Sequence, residues 1–275
     1  MALFAHSRAS MPIQEVVVRS LGEFLDVVTP SEPDSRTGRR RDTGVYRGAR
    51  NARAQLYTSL DRLGGTEPPH TKAGVEEHVL RNFIRYSRPH LDETHRHDAW
   101  EMLITAQHHG VPTRLLDWSY SPLVAAFFAT RPSADGDDDR AVWRLDWQTV
   151  HKAFGLPPLA LLIQDLDSLL GADHLTPWKL FGAKDVKPFA CMIEPPTIDA
   201  RIAAQAATFT LTSTTRQSFE MFLEEQKLER ALTRYVIPAE KVAKLRDQLD
   251  IVGIDERRLF PDLDGVAAAI QRYYA

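Results

Sequence analysis

Apolar residues along this chain repeat with two periods, one near two and one near four, and the switches between them mark out short strands and amphipathic helices. "IQEVVVRSLGEFLDVV" reads as a short strand followed by a helix, with Leu21, Phe24, Leu25 and Val28 at helical spacing. "TPSEPDSRTGRRRDTG" breaks the pattern with prolines, glycines and the basic triplet Arg39 to Arg41, a solvated loop. "VYRGA" resumes as a strand that stops at Gly48. After the loop "GGTEPPHTKAG", "VEEHVLRNFIRYSRPHL" predicts an amphipathic helix with Val79, Phe83 and Tyr86 on one face and Leu80 and Ile84 beside it.

"HDAWEMLITAQHHG" predicts another helix, closed by Gly110, since glycine is favoured just past a helix end. The segment "VPTRLLDWS" reads as a turn leading into the apolar helix "LVAAFFAT", with Pro122 in its first turn, where a missing N–H is harmless. "RPSADGDDDR" is an acidic turn and "AVWRLDW" alternates as a strand, with Val142 and Leu145 bracketing the change of face. Loop and short-helix material follows, ending in the strand-like "PFACMIEP". "ATFTLTST" is a strand with Phe209 and Leu211 on one face, "ALTRYVIPAEKVAKLRDQLDIVGI" reads strand, proline, helix, and "GVAAAIQRYY" is a final helix. Helices and isolated strands alternate without βαβ regularity or a Gly-rich turn opening a helix, so an α+β fold of mixed helices and short strands is expected, in a single domain spanning 1–275.

Composition narrows the chemistry. The 275 residues are 43% hydrophobic and 26% charged with a formal net charge of −3, an ordinary profile for a water-soluble chain. Positive charge is spread through an acidic chain with no basic stripe interleaved with aromatics, which argues against nucleic-acid binding. The lone Cys191 excludes an internal disulfide and a cysteine-based metal cage, and a reducing cytoplasm is expected. The segment "MALFAHSRASMPIQEVVVRS" holds no apolar run of signal-peptide length and the longest apolar stretch, around Leu123 to Ala129, is too short to span a bilayer, so neither a signal peptide nor a membrane span is expected. Oligomeric state leaves no trace in the sequence.

Several polar positions carry candidate chemistry. In "VYRG", the guanidinium fork of Arg47 suits a carboxylate or phosphate, and Gly48 would let a ligand approach the backbone. An arginine near a strand end can equally extend its charge into water. In "QHHGVPTRLLDWSYSP", Gln107, His108 and His109 crowd a helix terminus. The adjacent histidines point about 100° apart on a helix, so no shared zinc is expected, and each can serve as donor, proton carrier or a buried group satisfied by the backbone. Asp117 either pairs with Arg114 to tie down the turn or faces a ligand. Its place before a helix N-terminus favours a negative charge in both cases. Trp118, Ser119 and Tyr120 would make an aromatic wall with polar partners, suited to a planar ligand. Glu194 follows later, and Arg201 and Gln205 share a helical face if that stretch is helical, as an exposed polar pair or as ligand contacts.

Together "VYRG", "QHHGVPTRLLDWSYSPLVAAFFA", "RIAAQAATF" and "LFPDLDGVAAAI" resemble the FRG domain family, named for its Phe/Tyr-Arg-Gly motif, from about Val17 to the C-terminus. The chain departs from the family at Ala49, where a glutamine often follows "RG", and at Ala207, where a glycine often precedes the phenylalanine. The motif order is similar to that of ADP-ribosyltransferases, and the resemblance implies a split β-sandwich core of that kind and NAD as co-substrate; from the lone cysteine and the divergent histidines no metal is expected. The acceptor, whether protein, nucleic acid or small molecule, stays open. A role as a toxin or in antiphage defence is implied in the same way. Carried over, Arg47 beside Gly48 would hold the NAD diphosphate or ribose, Ser119 with Trp118 would pack the nicotinamide side, and Gln205 or Glu194 would touch the ribose. Asp117 would supply a carboxylate that Gln205 lacks, and His109, Arg114 and Arg201 are further candidates for cofactor contacts. A non-catalytic module that keeps the pocket for a nucleotide or a protein is the alternative.

Overall fold

A computed structural model describes residues 13–40, 42–63, 70–90, 99–132, 138–169, 176–182, 186–197, 199–215 and 217–274. The expected acidic turn at 133–137, most of the loop at 64–69, Arg41 and the first twelve residues lie outside them. Seven strands, β1 (Gln14–Val17), β2 (Val45–Ala49), β3 (Leu116–Ser119), β4 (Arg140–Leu145), β5 (Ala190–Ile193), β6 (Ala207–Thr212) and β7 (Leu232–Ile237), form one mixed sheet in the order β1-β7-β4-β2-β3-β6-β5. Among the described strand pairs only β1–β7 is parallel.

Twelve helices are found among the described residues. The first six are α1 (Leu21–Val28), α2 (Lys72–Ser87), α3 (Ala99–His108), α4 (Pro122–Ala129), α5 (Trp147–Ala153) and α6 (Ile163–Leu169). The other six are α7 (Pro177–Gly182), α8 (Ala200–Ala204), α9 (Phe219–Glu225), α10 (Val242–Ile251), α11 (Glu256–Leu259) and α12 (Leu263–Tyr274). Many begin where a short polar side chain takes up an N–H that has no partner inside the helix: Ser20, Thr71, Ser121, Asp146, Asp199, Ser218 and Asp255 all accept in this way. The fold is α+β, as the patterning predicts. None of these helices is long and apolar enough to cross a membrane.

The pairing is unequal along the sheet. β4 meets β7 over six residue pairs and β2 over five, but β2 and β3 share a single pair, Tyr46 with Ser119. The sheet is therefore nearly parted between a four-stranded and a three-stranded half. Each half is covered separately on the face that carries Tyr46 and Phe209. Helices α1, α4 and α10 pack on Tyr46, Val142 and Tyr235, whereas α2, α3 and α7 pack on Phe209, Leu211 and Cys191. On the opposite face α5 and α9 bridge the parting, burying Val45, Trp143, Leu116, Trp118 and Met192 in one cluster. The halves are thus held together from below and open above.

Two expectations are corrected. "LLDWS" is not a turn but strand β3, inside the sheet between β2 and β6, with Leu116, Trp118 and Ser119 buried and only Asp117 exposed. Four residues between two helices are too few to show a period, so tertiary pairing decides. Helix α2 forms as expected, but its buried positions are Glu76 and Leu80, and Tyr86 is 67% exposed. The helix is rotated toward Arg114, which needs Glu76 as a partner.

Candidate functional site

The parting places Arg47 and Asp117 side by side. Backbone direction alternates along β3, and because Tyr120 donates its N–H to Ala206 on the β6 side, the carbonyl of Asp117 faces β2. A continued ladder would use that carbonyl. Instead Arg47 Nη1 donates to it at 2.6 Å and lies 3.4 Å from Asp117 Oδ2. The other carboxylate oxygen, Oδ1, accepts from Gln107 Nε2 at 2.9 Å, and Gln107 Oε1 in turn accepts from the Thr113 hydroxyl at 2.6 Å. Arg47, Asp117 and Gln107 therefore form one chain of hydrogen bonds across the gap, linking β2, β3 and the end of α3.

A cleft of about 870 Å³ opens over this chain, within the range of sites for drug-sized ligands. Among the described residues, five arginines line it, Arg47, Arg50, Arg62, Arg131 and Arg201, against the single carboxylate of Asp117. Among the described residues, only Arg47 of the five is ion-paired. Arg131 and Arg201 instead stack on the Phe260 ring, at 5.3 and 4.9 Å from its centroid. Burial and the neighbouring Arg62 charge hold the Arg47 pKa below its ordinary value, against the opposing pull of Asp117. A surplus of fixed positive charge in a concave site attracts an anion, and arginine forks suit phosphate oxygens.

The remaining candidates fall out differently. Gly48 lines the cleft, and its missing side chain also makes room for a helix. A Cβ there would lie 2.1 Å from Ala125 O and 2.5 Å from Ala129 N, so the glycine lets α4 pack backbone to backbone on β2. Arg114 does not pair with Asp117. It is 2% exposed, its Nε and backbone N–H both donate to Glu76, and its guanidinium stacks on Phe181. Trp118 lines the cleft, but it is held by the protein and only 3% exposed. It points to the bridged face, packs edge-on against Phe219 and donates to the Thr210 hydroxyl. The Ser119 hydroxyl donates to Gln205 O and accepts from Ser121 N–H, bracing the strand end.

Glu194 accepts from the Tyr120 hydroxyl at 2.7 Å and is not part of the cleft wall. His109 is exposed and lines a neighbouring hollow instead. Arg201 and Gln205 both reach the cleft, but Gln205 ends α8 and its amide donates to Leu259 O, locking α8 to α11. The left-handed residue beside it is Ala206, at φ 45°, while Ala207 is ordinary strand. The positions sequence reasoning passed over are Arg50, Arg62 and Arg131. Each is a single arginine in a loop or at a helix end, with no local pattern to set it apart. Gln107 and His108 stand in the polar segment already singled out, and only the fold separates them from His109. No group of three or more His, Cys, Asp or Glu side chains able to hold a metal occurs among the described residues.

The fold and the site define an α+β protein with an arginine-lined cleft at a parting in its sheet. Residues 42–138 match the model of the FRG domain, a span that carries β2, α2, α3, β3 and α4 and with them Arg47, Gln107 and Asp117. Comparison with the curated proteins and with the solved structures gives no match.

Proposed function

We propose that the cleft binds NAD and that the chain is an ADP-ribosyltransferase-like enzyme. The observation that carries this reading is the meeting of Arg47 and Asp117 beneath a cleft whose other arginines lack carboxylate partners among the described residues. NAD presents two phosphates to such a surface, and Arg47 with Arg62 nearby suits the diphosphate. Breaking the bond between nicotinamide and ribose develops positive charge on the sugar, which a carboxylate stabilises, as in glycoside hydrolysis. Asp117 is the one carboxylate of the cleft wall among the described residues, with its oxygens held in place by Arg47 and Gln107. Gln205, with its amide committed to Leu259, keeps α8 in position.

Incubation with NAD is expected to release nicotinamide, measured by chromatography, and Arg47→Ala and Asp117→Ala are each expected to lower that rate at least about 100-fold with the fold intact by circular dichroism. The absence of both nicotinamide release and an NAD-induced thermal shift would overturn the reading. A second reading, a binding module without turnover, draws on the same pair: both Asp117 oxygens are already engaged, by Arg47 and by Gln107. Under it NAD raises the melting temperature, Arg47→Ala removes that shift, and no product forms.

A further inference from the structure

His108 stands where two hollows meet. It lines the NAD cleft and also a second hollow of about 560 Å³, whose wall includes His109, Asp199, Arg201 and Asp262. Its Nε2 lies 2.5 Å from Asp199 Oδ2, and its side chain is 11% exposed. Asp199 is fixed in turn, because its other oxygen caps α8 by accepting from Ile202 N–H at 2.9 Å. The His109 ring packs edge-on against the imidazole at 5.3 Å. A carboxylate on Nε2 keeps the proton on that nitrogen and leaves the Nδ1 lone pair as the basic atom. Nδ1 has no hydrogen-bond partner among the described residues. An oriented imidazole with one free nitrogen, backed by an anchored carboxylate, is the arrangement of a general base.

We propose that the second hollow is the acceptor site of the reaction put forward above, that His108 is its general base with Asp199 as positioning residue, and that the acceptor is a hydroxyl on an uncharged group. This rests on the NAD-cleft reading. The acceptor O–H would give its proton to His108 Nδ1 as the oxygen bonds to the ribose C1 of NAD. The C1–N bond to nicotinamide breaks, its electron pair leaves with neutral nicotinamide, and the charge of the pyridinium is discharged as the proton on the imidazole. No other reactant is needed. A hydroxyl is the acceptor that requires such a base, whereas a preformed anion does not. The charge of the hollow, Asp199 and Asp262 against Arg201, opposes a phosphate-rich acceptor such as a nucleic-acid strand.

The test uses two nucleophiles on the full chain, water and azide, with NAD consumption and products followed by mass spectrometry and NAD binding by thermal shift. Azide is already anionic and bypasses a base. In His108→Asn, hydrolysis is expected to fall about 100-fold or more while formation of the azide adduct changes less than about threefold and the NAD shift is kept. Asp199→Asn keeps a side-chain oxygen to cap α8, so the fold is preserved, and hydrolysis is expected to fall about tenfold with azide again spared. Parallel loss of both reactions in both variants would make His108 and Asp199 a latch between α3 and α8 and overturn the proposal, as would unchanged hydrolysis in His108→Asn. Wild-type protein that consumes NAD with neither nucleophile and shows no NAD-induced thermal shift would instead overturn the NAD reading itself, whereas a shift without consumption would overturn the acceptor-site proposal and leave a binding module.

Discussion

Two arginine–carboxylate pairs lie close to strand β3 and have opposite characters. Arg114 and Glu76 are sealed, 2% and 1% exposed, with Nε to Oε2 at 2.7 Å and the Arg114 backbone N–H on the second oxygen at 2.8 Å. Arg47 and Asp117 are open, 21% and 55% exposed and 3.4 Å apart. The first lies under helices α2 and α7, away from the cleft. The second lies at the parting of the sheet, among arginines with no carboxylate of their own among the described residues. A sealed pair spends its hydrogen-bonding capacity on the protein, so its role is to fix how α2 sits on the sheet. An open, long pair keeps capacity in reserve for a ligand, and its neighbours set the sign of that ligand's charge.

The sharpest way to break the comparison is to remove one partner from each pair. Glu76→Ala leaves a buried guanidinium uncompensated and is expected to destabilise the fold by about 3–5 kcal/mol, read by chemical denaturation. Asp117→Ala frees an arginine that water can reach, and its stability cost should stay within about 1 kcal/mol. Equal costs at the two positions would erase the distinction. Burial raises the Glu76 carboxyl above its ordinary value in spite of Arg114, which fits a pair that anchors a packing arrangement more than it adds net stability.

A third pair lies between these extremes and adds a pH dependence. Asp42 is bound by Arg144, with Nε donating at 2.6 Å and a second contact from Nη2, and it also accepts from the Tyr46 hydroxyl. Burial alone would raise the Asp42 carboxyl, but Arg144 and Tyr46 together outweigh it and hold the pKa below the ordinary value. A folded-state value below the unfolded one means the extra stability is fully present above the unfolded pKa, about 3.9, and is lost as pH falls through the folded value. Asp42→Asn is expected to cost about 2 kcal/mol near neutrality, with the gap to wild type closing below about pH 4 in pH-dependent denaturation. A gap that stayed constant with pH would assign the cost to packing instead of charge.

Much of the fold can be read from the chain because its elements carry local signals. The helices at α3 and α4 announce themselves through Gly110 and Pro122, and β6 through its alternating Phe209 and Leu211. The element that organises the site does not. β3 is four residues long, and its identity comes from pairing with β6, about ninety residues away in sequence. The site follows the same division. Arg47 and Asp117 stand in recognisable segments, but their meeting depends on a ladder that stops after one pair, which no periodicity encodes. Gly48 reads alike whether a ligand or a helix fills the space above it, and only the position of Ala125 decides. Arg114 and Asp117 are three residues apart and so invite pairing, but they project to different partners, Glu76 and Arg47.

The smallest expected effect tests whether the open pair draws its character from its surroundings. Arg62 is exposed, donates to Tyr57 O at 2.8 Å, and its charge is among the influences that lower the Arg47 pKa. Arg62→Ala should leave stability within about 0.5 kcal/mol of wild type, as surface substitutions generally do. Its consequence should appear in binding. Removing one charge from the cleft is expected to weaken NAD about two- to fivefold at low ionic strength, measured by titration calorimetry. The loss should shrink as salt shortens the screening length to about 8 Å near 0.15 M. A loss that does not change with salt would place Arg62 in direct contact with the ligand, and no loss at all would restrict phosphate recognition to Arg47 and the other arginines of the cleft.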